Sequence, residues 1–457
     1  MIKRIAQIVL VLCLCGGGFG LALALPFQQL DFSLHKLGQG ETQPTLLIVG
    51  GIQGDEPGGF NAASLLVTDY HIRRGNVWVV PNLNFKSIIR RSRGIYGDMN
   101  RKFLRLGSLD PDYAAVEKIK SIILDPRVSM ILNLHDGSGF YNPEYKDRLH
   151  NPGRWGQSII IDQSSLSGDG EYTGLEKIAK DFAQQANRRI DSPQHYFHVK
   201  NTFTSNGDRE MEKTLTYFAA RHLKPAFGVE ASKFFLTPER VFFHLQVIEA
   251  AMTYLGIDYQ RNFKLSHHDL KDRINNNIQV SFFDNKIFFD MQNARKNIRF
   301  VPLKKNAPLR ANSNNPLVAV INEKNNYRVQ YGNRNVTRLL PEYFEYDNSL
   351  KGISMMVDDK PRFVPFGTEV RVQHHFQVDA MPDYRVNVIG YYGKSGRDED
   401  GELIRYRDIT KQFSIDRTAK RFRVEVYTAQ RYCGMVIVDF HSAPYARKIT
   451  KTSDNNT

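Results

Sequence analysis

Two patterns of hydrophobic and polar positions alternate over the first half of the chain. Continuous apolar runs, typical of strands covered on both faces, predict strands at 46–49, 77–80, 129–134, 157–161 and 226–229. Helical spacing of apolar residues predicts helices at 58–70, 112–124, 174–189 and 238–255. Thr237 is the predicted N-cap of the last helix, and Pro238 is its predicted first residue. This alternation predicts an α/β fold, an α/β/α sandwich with helices on both faces of a mostly parallel sheet.

Beyond about residue 260 the pattern changes to short β-branched and aromatic runs bounded by Asn, Asp, Gly and Pro. Long helical spacing is no longer found, and strands are predicted at 297–301, 317–321, 327–331, 353–357, 386–392, 421–427 and 435–440. The α/β domain is therefore predicted at 25–258, followed by two smaller mainly-β modules at 259–349 and 350–446. The polar residues 447–457 are predicted to be a disordered tail.

The first 24 residues have a pattern of their own. Lys3 and Arg4 precede the apolar run 5–14, and Ala22 and Ala24 form a small-x-small cleavage site. This predicts a signal peptide at 1–24, a periplasmic location and no membrane span in the mature chain. Without this leader Cys433 is the only cysteine, which excludes an internal disulfide and a thiolate metal site.

The full chain has a net charge of +14. Removal of the leader takes away Lys3 and Arg4 and lowers this charge by two, so the mature chain stays basic. A basic exported protein is attracted to the anionic polymers of the cell envelope. Nucleic acid is not expected as a partner, because the protein is exported and carries no recognised nucleic-acid-binding motif.

Polar side chains follow several of the predicted strands. Gln53 and Glu56 lie in a glycine-rich turn after the first strand, His135 follows a second strand and Glu230 a third. Ligands in such sheets bind beyond the carboxyl ends of the strands. Gln, Glu and His make up the ligand count of a catalytic zinc site, with a fourth position left for water. Glu230 either caps a turn or acts as the general base on that water.

The loop 90–103 adds basic and amide side chains. Zinc-assisted hydrolysis of a substrate that ends in a carboxylate needs one cation for the oxyanion and another for the terminal carboxylate. We assign these tasks to Arg93 and Arg101, because guanidinium binds carboxylate through two hydrogen bonds. Asn100 can donate a further hydrogen bond to the same carboxylate.

The ordered set Gln53-x-x-Glu56, Asp98-Met99-Asn100-Arg101-x-Phe103, His135 and Glu230 resembles that of the zinc metallocarboxypeptidases. Those enzymes have His-x-x-Glu, Asn-Arg, His and a catalytic Glu in this order on an α/β/α sandwich. The resemblance covers roughly residues 40–256. With a leader, two trailing β modules and Gln53 in place of the first His, the chain is most similar to the peptidoglycan DL-carboxypeptidases. These determine helical cell shape in Helicobacter- and Campylobacter-like bacteria.

The resemblance implies a mixed sheet in the sandwich domain, an immunoglobulin-like last module and cleavage of muramyl tripeptide to dipeptide with release of meso-diaminopimelate. It implies a Zn²⁺ ion held by Gln53, Glu56 and His135, with Glu230 and Arg93 as catalytic residues. The substrate that the resemblance implies is a peptidoglycan muropeptide, with Asn100 and Arg101 as substrate-binding residues. Trp155 is a further candidate for substrate binding: it either packs over the diaminopimelate stem or pins a turn. An amide oxygen is a weaker zinc donor than imidazole, so zinc affinity is expected to be lower than in the usual site.

Two alternatives remain open from the sequence. One is a deacylase of N-acyl amino acids on the same fold, against which the leader and the β modules argue. The other is a non-catalytic cell-wall binding protein with a degenerate zinc site, suggested by Gln53 and opposed by the presence of Glu230 and both arginines. The β modules could orient the enzyme in the wall, bind glycan or recruit cell-shape proteins as partners.

Overall fold

The computed structural model describes residues 30–40, 44–276, 278–393 and 398–441. The predicted signal peptide at 1–24 and the predicted disordered tail at 447–457 lie outside these residues. Within them, none of the helices combines the length and the apolar character needed to cross a membrane.

The first domain, which we call the sandwich domain, alternates strands and helices as predicted. In chain order its elements are β1 (His35–Gln39), β2 (Thr45–Val49), α1 (Pro57–Asp69), β3 (Tyr70–Val80), α2 (Phe85–Arg90), α3 (Tyr113–Ile123), β4 (Val128–Gly137), β5 (Phe140–Tyr141), β6 (His150–Asn151), β7 (Ser158–Ile161), α4 (Leu175–Asn187), β8 (His198–Asn201), α5 (Leu215–Arg221), β9 (Ala226–Ser232), α6 (Thr237–Tyr254) and β10 (Asp258–Arg261). In the described part of the chain an eight-stranded sheet has the order β1-β3-β2-β4-β9-β7-β8, with β10 paired to β3.

The central strands β3, β2, β4 and β9 are parallel, whereas β1 and β10 pair with β3, and β7 with β9, in antiparallel directions. The predicted mixed sheet is therefore confirmed; its parallel part is the centre.

Strand β2 is apolar throughout because both of its faces are covered. Leu46 and Ile48 pack into the core beneath α1, α4 and α6, while Leu47 and Val49 pack into the core beneath α3 and α5. Helices thus cover both faces, and the α/β/α sandwich is confirmed.

Two local expectations about helices were wrong. Thr237 is the first residue of α6 and not its N-cap; the cap is Leu236, whose backbone N–H donates to Glu239 Oε2 at 2.7 Å. A helix also occurs where none was expected, α7 (His267–Asn276), which buries only Leu270 and Ile274 and so leaves too short an apolar pattern to detect.

The middle module is mainly β, as predicted. After α7 its strands are β11 (Gln279–Phe282), β12 (Ile287–Asp290), β13 (Asn297–Lys304), β14 (Ala311–Ser313), β15 (Val318–Glu323), β16 (Asn326–Tyr331) and β17 (Arg334–Tyr346). Its apolar side chains belong to the same core as α1 and α6 of the sandwich domain. The middle module is therefore packed against the sandwich domain.

The last module is a β-sandwich around a core of its own. Its strands are β18 (Gly352–Val357), β19 (Lys360–Pro365), β20 (Glu369–Arg371), β21 (His375–Val378), β22 (Arg385–Val388), β23 (Ile404–Arg405), β24 (Arg421–Thr428) and β25 (Arg431–Asp439). One sheet has the order β19-β18-β21-β23, and the other contains β20, β25, β24 and β22. The end of β17 pairs with β25, so this second sheet continues from the middle module into the last one.

Candidate active site

The candidate site lies where β2, β4 and β9 approach their carboxyl ends. Gln53 and Glu56 lie in the turn between β2 and α1, and Glu56 is the N-cap of α1. His135 and Glu230 lie within β4 and β9, as neighbours in the parallel register, because both strands run further than their apolar patterns predicted. The turn itself requires glycine at Gly54, where a Cβ would come 2.0 Å from the backbone of Ser87.

Three side chains converge at the base of the site. The Nδ1 atom of His135 lies 3.1 Å from Gln53 Oε1 and 3.0 Å from Glu56 Oε2. An amide oxygen, a carboxylate oxygen and an imidazole nitrogen thus face one point, which is a donor set suited to a divalent metal. Across the described ranges no cluster of three His, Cys, Asp or Glu side chains forms a metal site. The candidate centre therefore depends on the glutamine.

The surroundings of His135 fit a metal at this point. Asn133 Nδ2 donates to His135 Nε2 at 2.8 Å, and Asn133 Oδ1 is buried without a hydrogen-bond partner among the described residues. In this arrangement the ring proton is on Nδ1. Rotating the Asn133 amide by half a turn brings its oxygen to Nε2, where it can accept the ring proton and leave the Nδ1 lone pair free for a metal.

The charge around His135 favours a cation. Burial lowers the pKa of His135, but the hydrogen bond and the charge of Glu56 outweigh burial and raise the pKa above its ordinary value. The second carboxylate oxygen of Glu56 is 3.4 Å from Arg93 Nη1 and 3.3 Å from Lys233 Nζ. Glu56 is thereby held from both sides, with its Oε2 atom directed at His135.

Asp98 fixes the orientation of the glutamine. Gln53 Nε2 donates to both oxygens of Asp98, at 2.8 and 2.9 Å, so that Gln53 Oε1 faces His135. Asp98 also accepts from Arg93 Nε and from the backbone N–H of Asn100, each at 2.9 Å. Burial raises the pKa of Asp98, but the hydrogen bond from Gln53 and the charge of Arg93 bring it below its ordinary value. The carboxylate is therefore ionised when it orients the amide.

Glu230 faces the same cavity from β9. Burial is the main cause that raises its pKa to about 8, and the charges of Glu56 and Asp136 raise it further, while His135 opposes them. A divalent cation beside it would favour the ionised form. Because a carboxyl group with a pKa near neutrality can both take and release a proton, Glu230 is suited to general acid–base chemistry.

Asn100 and Arg101 approach from a short 3₁₀ turn, Met99–Arg101. Asn100 Oδ1 accepts from the backbone N–H of Leu215 at 3.0 Å, which leaves the amide nitrogen for the site, 3.5 Å from His135 Nε2. Arg101 donates to the backbone of Asn100 at 3.1 Å and makes a longer ion pair with the exposed Glu210 at 3.6 Å.

Every residue assigned to the site from the sequence lines one cavity of about 320 Å³. These residues are Gln53, Glu56, Arg93, Asn100, Arg101, His135, Trp155 and Glu230. Thr214, Thr216 and Lys233 line it as well, and the sequence assigned them no role. Lys233 lies three residues after Glu230. This closeness in sequence was the only feature that could have indicated that Lys233 lines the site. A larger open groove, about 610 Å³, lies between α4 and β8 and contains none of the predicted residues.

Comparison with known proteins agrees with this geometry. Residues 3–275 match the catalytic domain of the carboxypeptidase controlling helical cell shape, and residues 346–441 match the C-terminal domain of metallo-carboxypeptidase. No curated protein matches the chain.

Among solved structures, the apo cell shape determinant protein Csd4 from Helicobacter pylori is 37% identical, with a TM-score of 0.81 over 90% of this chain and 100% of that chain. A tripeptide-bound form of Csd4 matches with the same values. An mDAP-bound form, described as a D,L-carboxypeptidase, is also 37% identical, with a TM-score of 0.81 over 89% of this chain and 99% of that chain.

The family match extends over more than half of the chain, and the similarity to Csd4 extends over all three modules. The resemblance inferred from the short motifs is thereby confirmed, and the protein is a metal-dependent hydrolase of peptide bonds. The chain belongs to the family of carboxypeptidases that control helical cell shape.

Proposed function

We propose that the protein is a periplasmic, zinc-dependent DL-carboxypeptidase that cleaves muramyl tripeptide to dipeptide and releases meso-diaminopimelate. The observation that supports this most directly is the convergence of Gln53, Glu56 and His135 beside Glu230 in one cavity. The tripeptide and mDAP bound to Csd4 indicate the substrate class. Through this cleavage the enzyme would affect helical cell shape.

Zinc held by Gln53, Glu56 and His135 supplies Lewis acidity to the site. Glu230 removes a proton from the attacking water and then donates it to the leaving amine of diaminopimelate. Arg93 stabilises the oxyanion that develops at the γ-D-glutamyl carbonyl, and one such donor is typically worth about 3–4 kcal/mol. Arg101 and Asn100 bind the free carboxylate of diaminopimelate, and Trp155 packs beside the peptide stem.

Export is part of the proposal, and it is supported by the basic, apolar and small-residue pattern of residues 1–24. The β modules are proposed to contact cell-shape proteins or the wall. Cell fractionation that recovers the protein from the cytoplasm would contradict the periplasmic location without affecting the chemistry.

The decisive experiment is digestion of defined muropeptides, with and without a chelator, followed by mass analysis. We expect tripeptide to become dipeptide and free diaminopimelate, loss of activity on chelation and its recovery with zinc. N-acyl amino acids tested in parallel identify a deacylase, which would process them faster than tripeptide. Binding of tripeptide without turnover in the zinc-loaded protein would contradict an enzyme and favour a cell-wall binding protein.

A matched pair of variants assigns the activity to the site. Glu56→Ala, which removes a proposed ligand, should abolish both zinc binding and turnover. Glu117→Ala truncates a glutamate on α3 that pairs with Lys120, and it should retain both. Equal zinc content in the two variants would place the metal elsewhere.

A further inference from the structure

The middle module packs directly against α1, the helix that has Glu56 as its N-cap. Phe60, in the first turns of α1, has no exposed surface. Gly332, between β16 and β17, lies against its ring, since a Cβ at Gly332 would come 3.0 Å from Phe60 Cε2. The φ angle of Gly332 is +50°, which disfavours side chains at this position. The backbone of the middle module is thereby fitted to the surface of α1.

A buried polar network joins the two surfaces. Tyr331 of the middle module donates its hydroxyl proton to Asn61 Oδ1 on α1 at 3.3 Å, and Ser64 on α1 donates to Asn315 Oδ1 at 3.0 Å. All four side chains are buried. Burial raises the pKa of Tyr331, so its hydroxyl keeps the proton that it donates. Buried networks of this kind specify one relative position of the elements that they join.

This network reaches the candidate metal site through Asn61. Because Asn61 Oδ1 accepts from Tyr331, its amide nitrogen is directed at the carbonyl of Pro57, to which it donates at 2.8 Å. Pro57 directly follows Glu56. On the other side of the same turn, the backbone N–H of Gly58 donates to Asp136 Oδ2 at 2.8 Å. The first turn of α1 is therefore held from the middle module and from β4 together.

The segments before and after α2 also contact the middle module. Arg91 Nε donates to the backbone carbonyl of Asn333 at 2.6 Å, and Asn82 Nδ2 donates to that of Pro316 at 3.0 Å. Arg93 follows Arg91 in the loop after α2. The first turn of α1, next to Glu56, and the loop that carries Arg93 thus both depend on contacts with the middle module.

We propose that the middle β module completes the metal site, with Tyr331 acting through Asn61 to position Glu56. Tyr331 and Asn61 touch neither metal nor substrate and are positioning residues. The inference rests on the proposed zinc site, and it assigns to the middle module a structural task in the active site itself. Tyr331 contacts Asn61 and does not contact the ligand Glu56 itself. Loss of the hydrogen bond between Tyr331 and Asn61 should therefore weaken zinc binding only moderately.

The test measures the zinc dissociation constant of the full chain by competition with a chromogenic chelator at fixed pH. Tyr331→Phe keeps the ring and removes the hydroxyl, and we expect the dissociation constant to rise about three- to ten-fold. Tyr327→Phe is the matched control: it removes another tyrosine hydroxyl of the same strand, one that contacts Tyr343 Oη at 3.5 Å. Tyr327→Phe should leave the dissociation constant unchanged, even if both variants melt at a similar lower temperature.

Asn61→Ala tests the next link, and the double variant tests the path. If Tyr331 acts through Asn61, adding Tyr331→Phe to Asn61→Ala should weaken zinc binding no further. Additive effects, or a Tyr331→Phe protein that binds zinc as tightly as the unaltered one, would overturn the inference while leaving the proposed function intact. Failure of the unaltered protein to bind zinc would overturn the proposed metal site and this inference with it.

Discussion

The orientation of one glutamine depends on one carboxylate. An amide offers an oxygen or an NH₂ group to a cation, and only the oxygen binds it. Asp98 accepts both contacts from Gln53 Nε2 and so excludes the wrong orientation. The charge of Asp98 also polarises the amide and makes Gln53 Oε1 a better donor. In this way a residue that is a weaker zinc donor than histidine can serve as a ligand.

Removing this charge should weaken the site. In Asp98→Asn, Gln53 can no longer donate to two carboxylate oxygens, and we expect zinc affinity to fall about 10- to 100-fold, as for other residues that orient metal ligands. The chelator competition assay measures it. Asp125→Asn, at a carboxylate that pairs with Arg127, is the control and should bind zinc normally. An Asp98→Asn protein with unaltered affinity would show that Gln53 needs no orientation.

Glu230 should be separable from substrate binding. Glu230→Gln keeps the shape of the side chain and removes its capacity to accept a proton. We expect turnover of muramyl tripeptide to fall about 10²- to 10⁴-fold, the usual contribution of general acid–base catalysis, while tripeptide still binds. Turnover is measured by mass analysis and binding by calorimetry. Weaker tripeptide binding together with an unchanged turnover number at saturating tripeptide would assign Glu230 to recognition and not to proton transfer.

At the scale of elements, a single carboxylate joins β4, α1 and α6. Asp136 Oδ2 accepts from the backbone N–H of Gly58 at 2.8 Å and from Arg240 at 3.1 Å, and Asp136 Oδ1 accepts from His244 Nε2 at 3.1 Å. Its backbone N–H donates to Glu56 Oε2 at 3.2 Å. Burial raises the pKa of Asp136, but His244, Arg240 and Gly58 outweigh it and bring the pKa below the ordinary value of 3.8.

Neutralising Asp136 should destabilise the fold. Asp136→Asn leaves Arg240 without its charged partner, and we expect the free energy of unfolding to fall by about 3 kcal/mol at pH 7. Because the pKa is lower in the folded state, this contribution is present above pH 3.8 and is lost as pH falls through the folded-state value. Urea unfolding at pH 7 and pH 3 measures both effects. A difference between the two proteins that grows towards low pH would contradict the assignment.

Elements were predictable where the signal was local. Strand β2 and helix α1 follow from a continuous apolar run and a glycine turn, and they place Gln53 and Glu56 at a strand end. The partners Asp98, Asn133 and Lys233 could not be assigned, because their roles depend on which distant segments meet. Helix α7 was missed, and the sequence could not tell which strands of the mixed sheet run antiparallel, because pairing direction leaves little trace in composition.

At the scale of the whole molecule, the three modules are joined by shared structure. One core includes side chains from the sandwich domain and the middle module, and the pairing of Tyr346 with Tyr432 joins the middle module to the last one. The surface of α1 that carries Phe60, Asn61 and Ser64 is buried. The sandwich domain is therefore not expected to be stable when isolated from the β modules.

Truncation tests this dependence. A chain that ends at Asn276 would expose Phe60 and the surrounding apolar surface, and we expect it to aggregate or to unfold without a cooperative transition. Size-exclusion chromatography and thermal unfolding by circular dichroism measure this. The full chain purified in parallel is the control. A truncated protein that is monomeric and binds zinc as tightly as the full chain would contradict the structural role of the middle module.

The unpartnered oxygen of Asn133 has a spectroscopic consequence. Metal loading should move the His135 proton from one ring nitrogen to the other, so that the protein holds opposite imidazole tautomers with and without its ion. Nitrogen-15 chemical shifts of a histidine-labelled sample would then report occupancy directly, even in a variant that turns over no substrate.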